Sequence, residues 1–242
     1  MRLTRCHVEV PLAVGQTLTL PETAATHLVR VLRLRAGDDC VLFNGDGHDY
    51  AARLQSVDKR AVVVEVLART PVPRESPLRI TLLQGVARGE KMDLILQKTT
   101  ELGVTAIVPV LAERTEVKLD AARTAKRMQH WRSVLVSACE QSGRATIPAL
   151  AEPQPLVTAA AIQATLKLVL DPEGEYTLAD LPVPEPAEVA IAIGPEGGWS
   201  PRDRQALVEA GFMGLRLGPR VLRTETAGLA TIAALQSRFG DF

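Results

Sequence analysis

The chain opens on short runs in which apolar and polar residues alternate, then changes after residue 77 to apolar strands separated by segments of helical period. Strict alternation is the period of a half-covered strand, whereas apolar residues three and four apart mark one stripe of a helix. Residues 8–20 carry alternating runs broken at Gly15. Asp39-Cys40-Val41-Leu42-Phe43-Asn44 leads into Gly45-Asp46-Gly47, a hairpin signal, and Tyr50-Ala51-Ala52-Arg53-Leu54 returns from it. Residues 61–67, with Val62-Val63-Val64, predict a further strand. One helix interrupts them: Pro21-Glu22-Thr23 resembles a helix start, and 27–34 has apolar residues at helical spacing. Many short strands with turn signals point to a small barrel.

Pro71-Val72-Pro73-Arg74-Glu75-Ser76-Pro77 excludes helix and central strand. A domain boundary is expected there, giving domains 1–74 and 75–242. Beyond it, strands at 80–86, 104–111, 166–170, 189–193 and 213–217 alternate with helices at 89–102, 125–142, 201–210 and 222–238. Met92, Ile95, Thr99 and Leu102 form one helical stripe with Gly103 as its stop, and Met128, Trp131, Leu135 and Ala138 form another. Ser200 and Pro201 supply an N-cap and a first helical position. This alternation predicts an α/β domain with a mostly parallel sheet.

Composition narrows the function classes. The apolar share of 46% is that of a globular chain, and no apolar run nears the ~20 residues that span a bilayer. Met1-Arg2-Leu3-Thr4-Arg5 leads into alternation with no signal-peptide core, so the cytoplasm is the expected compartment and no membrane partner is expected. Cys6, Cys40 and Cys139 lie far apart with no CxxC, so we read them as reduced thiols and expect neither a disulfide framework nor a metal site. Cys139 sits at a helical apolar position, where packing is its expected role. An aromatic content of 3% argues against stacking platforms along a nucleic-acid strand. Net charge is zero, yet residues 79–144 hold 11 basic and 7 acidic side chains while 145–242 hold 7 and 12. A neutral protein with a basic region can still hold a polyanion on one face.

Two strand-to-helix junctions concentrate candidate chemistry. In Ile191-Ala192-Ile193-Gly194-Pro195-Glu196-Gly197-Gly198-Trp199-Ser200 a buried strand runs into a glycine loop and then a helix. Glycines at the end of a strand let a ligand approach the backbone, and such crevices are where open α/β sheets bind ligands. The spacing is neither GxGxxG nor a P-loop, and an ordinary tight loop is the plain alternative. In Leu215-Arg216-Leu217-Gly218-Pro219-Arg220-Val221-Leu222-Arg223-Thr224-Glu225-Thr226-Ala227 a strand again ends at Gly-Pro before a helix. Thr224, Glu225 and Thr226 suit a helical first turn, where hydroxyls cap and a carboxylate meets the dipole. Arg220 and Arg223 sit where that dipole disfavours them, a conflict that a bound anion would resolve.

Together these junctions resemble the SPOUT methyltransferases of the RsmE type, which methylate N3 of one uridine in 16S ribosomal RNA. Further matching stretches are His27-Leu28-Val29-Arg30-Val31-Leu32-Arg33, Arg88-Gly89-Glu90-Lys91-Met92, Gln97-Lys98-Thr99-Thr100-Glu101-Leu102-Gly103-Val104 and Cys139-Glu140-Gln141-Ser142-Gly143-Arg144. The likeness runs from Arg2 to Asp241. It implies a PUA-like RNA-binding barrel over 1–74. Over 75–242 it implies a SPOUT domain with a deep C-terminal trefoil knot, which no periodicity can reveal. It also implies S-adenosyl-L-methionine as cofactor, 16S ribosomal RNA of the small subunit as partner, and a homodimer.

Carried over by motif, the cofactor residues are those of three loops. The first is Leu170, Asp171 and Pro172, where Asp171 departs from the family pattern. The second is Ile193, Gly194, Pro195, Glu196, Gly197 and Gly198. The third is Leu217, Gly218, Arg220, Val221, Leu222, Arg223, Thr224, Thr226 and Ala227. Uridine N3 bears a proton at neutral pH, so the reaction needs a base or a cation beside it. Arg223 is the expected stabiliser or orienter of the base. Glu196 is either a base or a carboxylate that fixes its own loop. Arg2, Arg5, Arg30, Arg33, Arg35, Arg88, Lys91, Lys98 and Arg144 are the candidate RNA contacts. His27 and His130 read as helix-surface or packing residues, Trp131 as core, and Trp199 as open to stacking. A different SPOUT reaction, on ribose 2′-O or another base position, is the nearest alternative. A non-catalytic RNA-binding assembly factor is the rival from another class.

Overall fold

The computed structural model describes residues 4–58, 61–117 and 120–242, so Arg2 lies outside the described residues. The chain divides into two compact units, Met1–Glu75 with Cys139–Ile147, and Ser76–Ala138 with Pro148–Phe242.

In the first unit, five strands pair in the order β1-β3-β4-β5-β2. They are β1 (Arg5–His7), β2 (Thr17–Thr19), β3 (Asp39–Phe43), β4 (His48–Val57) and β5 (Val62–Pro71). The β3–β4 hairpin pairs Leu42 with Tyr50, as the Gly45-Asp46-Gly47 turn requires. Strand β5 buries Val62, Val64 and Val66 against Leu28, Leu42 and Leu54, the period-2 pattern of a strand with one covered face. It also runs to Pro71, into the segment expected to be free of strand; a proline is tolerated at such a strand end. The helix starts earlier than its apolar spacing suggests: α1 (Glu22–Thr26) passes into a π-helical stretch over His27–Val31. It stops before Arg33, whose φ of 59° is left-handed and cannot continue a right-handed helix.

Short stretches around residue 145 complete this unit. Arg5 is buried and donates to the carbonyls of Cys139 (2.8 Å) and Arg144 (3.1 Å) while pairing with Asp49 at 2.6 Å. Arg144 is also buried and pairs with Glu75. The three cysteines are free and buried. Burial pushes the Cys6 thiol up to about 12 and those of Cys40 and Cys139 to about 11, so all three are un-ionised at neutral pH.

The second unit carries a parallel sheet in the order β12-β10-β11-β6-β7-β8, with β9 also paired on β7. Its strands are β6 (Arg79–Gly85), β7 (Ala106–Leu111), β8 (Ala149–Leu150), β9 (Gln154–Pro155), β10 (Leu166–Leu170), β11 (Glu188–Ile193) and β12 (Met213–Leu215). Leu168, Ile191, Leu82 and Ile107 lie in register across four strands, all buried. Such continuous apolar runs belong to strands covered on both faces. The covering helices of this unit are α2 (Glu90–Glu101), α4 (Leu156–Ala160), α5 (Pro201–Glu209) and α6 (Thr224–Phe239), with α3 (Ala121–Ser142) running on into the first unit. Buried Gln236 on α6 donates to the Leu102 carbonyl at the end of α2 and accepts from Ser76. The strand order reverses between β6 and β11, so the carboxyl ends of β6, β11, β10 and β12 meet at a switch point, the place where open α/β sheets hold ligands.

Candidate active site

Three loops leave those carboxyl ends and enclose a cleft of about 480 Å³. From the first loop it is lined by Leu170, Asp171 and Pro172, and from the second by Ile193, Gly194, Pro195, Glu196 and Gly198. The third contributes Leu217, Gly218, Arg220, Val221, Leu222, Arg223, Thr224 and Ala227. These segments are far apart in sequence and were grouped only by motif; the fold brings them to one cavity. Thr226 is exposed and lines an adjoining groove with Leu178 and Ala230, which shares Leu217, Gly218, Arg220 and Leu222 with the cleft.

Gly197 is the second departure. It accepts from Arg114 Nη1 at 3.2 Å, and a Cβ there would stand 3.0 Å from Arg114 Cβ. That glycine makes room for the chain at Arg114, and it does not line the cleft.

The second loop is held from several sides. Thr224 Oγ1 donates to the Gly194 carbonyl at 2.6 Å. Gln84, fully buried at the end of β6, donates to Thr224 Oγ1 at 3.0 Å and to the Gly85 carbonyl at 2.9 Å. The Thr224 hydroxyl was expected to cap its own helix; it bridges two loops instead, while Arg223 occupies the N-cap position of α6 without a side-chain cap. At Gly85 a Cβ would fall 2.4 Å from the Pro195 nitrogen, so any side chain would push the loop off the sheet. Ser200 caps α5 reciprocally with Asp203, and Asp203 also accepts from the Glu113 N–H.

Three carboxylates line the cleft, and they differ in what they hold. Asp171 pairs with Arg204 and accepts from the Glu173 N–H at 3.0 Å. Glu196 Oε1 accepts from the Arg88 N–H at 3.0 Å and from Lys91 at 3.3 Å. Partial burial pushes the Glu196 carboxyl up, but the N–H bonds from Arg88 and its own backbone, with Lys91, outweigh it and leave the pKa below the usual carboxylate value. These contacts tie the loop to the Arg88 segment, and a carboxylate stabilised in its charged form is a weaker base. Glu225, in the first turn of α6, has an Oε2 that is buried with no hydrogen-bond partner.

Arg220 and Arg223 are exposed and line the cleft with no ion pair among the described residues. Trp199 is a buried wall of the cleft, so stacking on an open strand is closed to it. His130 is a surface residue paired with Asp93 at 2.8 Å. Trp199 and Glu225, which the sequence placed at the junctions without a cofactor role, also line the cleft, and Arg204 and Leu215, with the supporting Gln84 and Gly85, were not among the candidates. The one legible signal was Gln84, a polar residue inside an apolar strand.

Chain-wide comparisons fit this geometry. A family model described as an RNA methyltransferase domain matches residues 74–236, and one described as an RNA methyltransferase PUA domain matches 20–67. The ribosomal RNA small subunit methyltransferase E of Buchnera aphidicola is 31% identical over 99% of this chain and 98% of its own. The chain belongs to the ribosomal RNA small subunit methyltransferase E family. A member of that family from Neisseria gonorrhoeae, solved bound to S-adenosyl methionine, is 41% identical over the whole of both chains with a TM-score of 0.92. A methyltransferase of Legionella pneumophila, solved with the bound cofactor SAM, is 40% identical over the whole of both chains with a TM-score of 0.97. The fold is accordingly a PUA-like domain joined to a SPOUT methyltransferase domain.

The nine RNA candidates fall into distinct groups. Arg30, Arg33 and Arg35 are exposed together on the first unit, beside exposed Val31 and Leu32. Arg88 pairs with Glu116, Lys91 with Glu196 and Lys98 with Glu101, all on partly exposed side chains. Arg5 and Arg144 are corrections: both guanidinium groups are buried on internal partners and present no face to RNA. Among the described residues no helix is long and apolar enough to cross a membrane, and no three metal-ligating side chains are grouped.

Proposed function

We propose that this chain transfers a methyl group from S-adenosylmethionine to N3 of one uridine in 16S ribosomal RNA of the small subunit. Family membership supports methylation of small-subunit ribosomal RNA with this cofactor. The observation that carries the reading to this chain is the cleft itself, built from the three motif loops at the sheet's switch point.

The donor set fits the cofactor. Leu170, Ile193 and Leu222 offer apolar walls for a flat base, and the backbone edges at Gly194 and Gly218 admit close approach. Both signs of charge line the cleft, which suits a zwitterionic methionine end. Bound there, S-adenosylmethionine supplies an electrophilic methyl group. The chain's own task is to orient a uracil ring and stabilise the negative charge that develops as N3 loses its proton. Arg223, exposed and unpaired on the cleft wall, is placed for that charge.

The exposed arginines of the first unit, with Arg88, Lys91 and Lys98, supply phosphate contacts, and a single extruded base enters the cleft. We assign RNA binding to the domain at 1–74 and catalysis to 75–242, working in the cytoplasm. A homodimer with a trefoil knot at the C-terminal loops completes the reading; the strand order β12-β10-β11-β6-β7 supports that topology. A tritiated-methyl assay on small subunits lacking the modification tests it. Label in 16S RNA is the expected result. Label only in transfer RNA, or none from protein that binds the cofactor, would overturn it.

A further inference from the structure

Four of the eleven Lys and Arg residues of 79–144 fall within ten positions on α3. Arg123, Lys126, Arg127 and His130 stand at i, i+3, i+4 and i+7, so they share one face of that helix. Arg123, Lys126 and His130 are exposed and Arg127 is half-buried, while Trp131, Leu135 and Ala138 bury the opposite stripe. A solvated helix face ordinarily mixes signs, as α2 does with Glu90, Asp93 and Glu101 beside Lys91 and Lys98. Residues 121–139 hold no Asp or Glu at all. Like charges three and four apart repel, and a cation in the first turn opposes the helix dipole; Arg123 does both. Its pair with Asp120, at 3.3 Å, joins two side chains that are more than half exposed, and such pairs are weak. Lys126 and Arg127 have no ion pair among the described residues. The face also borders the cleft: His130 meets Asp93 of α2 at 2.8 Å, two residues from Lys91, which lines the cleft.

We propose that this face of α3 is a docking surface for the phosphate backbone of 16S ribosomal RNA beside the target nucleotide, which rests on the substrate reading above. Charge complementarity selects the occupant. A run of cations with no carboxylate on its own face gains from a polyanion, which also relieves the repulsion within the helix. Guanidinium and ammonium groups both bind phosphate oxygens. The aromatic ring of this helix, Trp131, is buried, so the face offers charge and no stacking. Phosphate contacts fix position without reading sequence. The surface therefore sets where the cleft rests on the RNA, and the cleft selects the base.

The test compares wild type with Lys126→Gln and Arg127→Gln, singly and together, and with Arg79→Gln. Arg79 is exposed at the start of β6, the end of that strand away from the cleft, and serves as the charge control. Binding is measured over a salt series on small subunits lacking the modification and on protein-free 16S RNA, with urea unfolding and S-adenosylmethionine calorimetry alongside. Each single α3 variant is expected to reduce the salt slope of log K by about one. The double variant is expected to bind about 10-fold more weakly at physiological salt, with a higher KM for subunits, unchanged cofactor affinity and no loss of stability. Arg79→Gln keeps the wild-type slope. Unchanged slopes in both single variants, with normal labelling of 16S RNA by wild type, would overturn this surface alone. An equal loss in Arg79→Gln would overturn it by making net charge the cause. A loss on subunits with none on protein-free RNA would assign the face to a ribosomal protein and overturn it too. Wild type that labels no 16S RNA would overturn the substrate reading and this surface with it.

Discussion

The Thr224 hydroxyl donates to the Gly194 carbonyl oxygen at 2.6 Å, tying the start of α6 to the loop after β11 thirty positions earlier in the chain. Gln84 stands behind the pair and donates to the same hydroxyl. Thr224→Val keeps the shape and removes the link, leaving the Gly194 carbonyl short of its donor. We expect a loss of about 1–2 kcal/mol in stability, measured by urea unfolding, and weaker S-adenosylmethionine binding by calorimetry. Unchanged cofactor affinity would mean that the two loops are set independently.

Arg223 caps α6 with its backbone only, accepting from the Thr226 and Ala227 N–H groups, so its side chain can be removed without unravelling the helix. Arg223→Ala is expected to lower methyl transfer about 100-fold with little change in cofactor affinity. Equal losses in both would reduce Arg223 to a shaper of the cofactor loop.

Glu196 gives a pH signature. Its folded pKa lies below the unfolded value, so its contribution is present above the unfolded pKa and is lost as pH falls through the folded one. Glu196→Gln should therefore be less stable than wild type at neutral pH, and the gap should close on acidification below about pH 4. A pH-independent gap in urea unfolding would show that the charge on Glu196 does not anchor the Arg88 segment.

The arginines of the first unit separate into exposed ones, such as Arg33, and the buried Arg5. Arg33→Ala is expected to weaken RNA binding and to reduce the salt slope of log K by about one, with stability unchanged. Arg5→Met strands Asp49 and two carbonyl groups, so a loss of about 2–3 kcal/mol in stability is expected. An Arg33 variant with an unchanged salt slope would remove that residue from the RNA face.

Legibility in the sequence tracked the length of each pattern. Residues 166–170 and 201–209 form the strand and helix that the apolar run and the Ser200 cap imply. Strands of two residues such as Ala149–Leu150 have no period to read. The π-helical turn after Thr26 looks like α-helix in its apolar spacing, because both bury one stripe. Arg5 was misread for a different reason: its partners at Cys139 and Arg144 lie more than a hundred positions away, and the sign of a charge says nothing about its burial. The motif loops were legible because their glycines and arginines are local. Arg204 and the unpartnered oxygen of Glu225 became visible only when the fold brought the ends of β10 and β11, α5 and α6 to one cleft.

The central claim, methylation at uridine N3, is tested most directly by mass spectrometry of nucleosides from 16S RNA. Small subunits lacking the modification are treated with the purified protein and isotopically labelled S-adenosylmethionine. The account predicts label in N3-methyluridine at a single position. Label in a 2′-O-methylated nucleoside, or on another base atom, would contradict it.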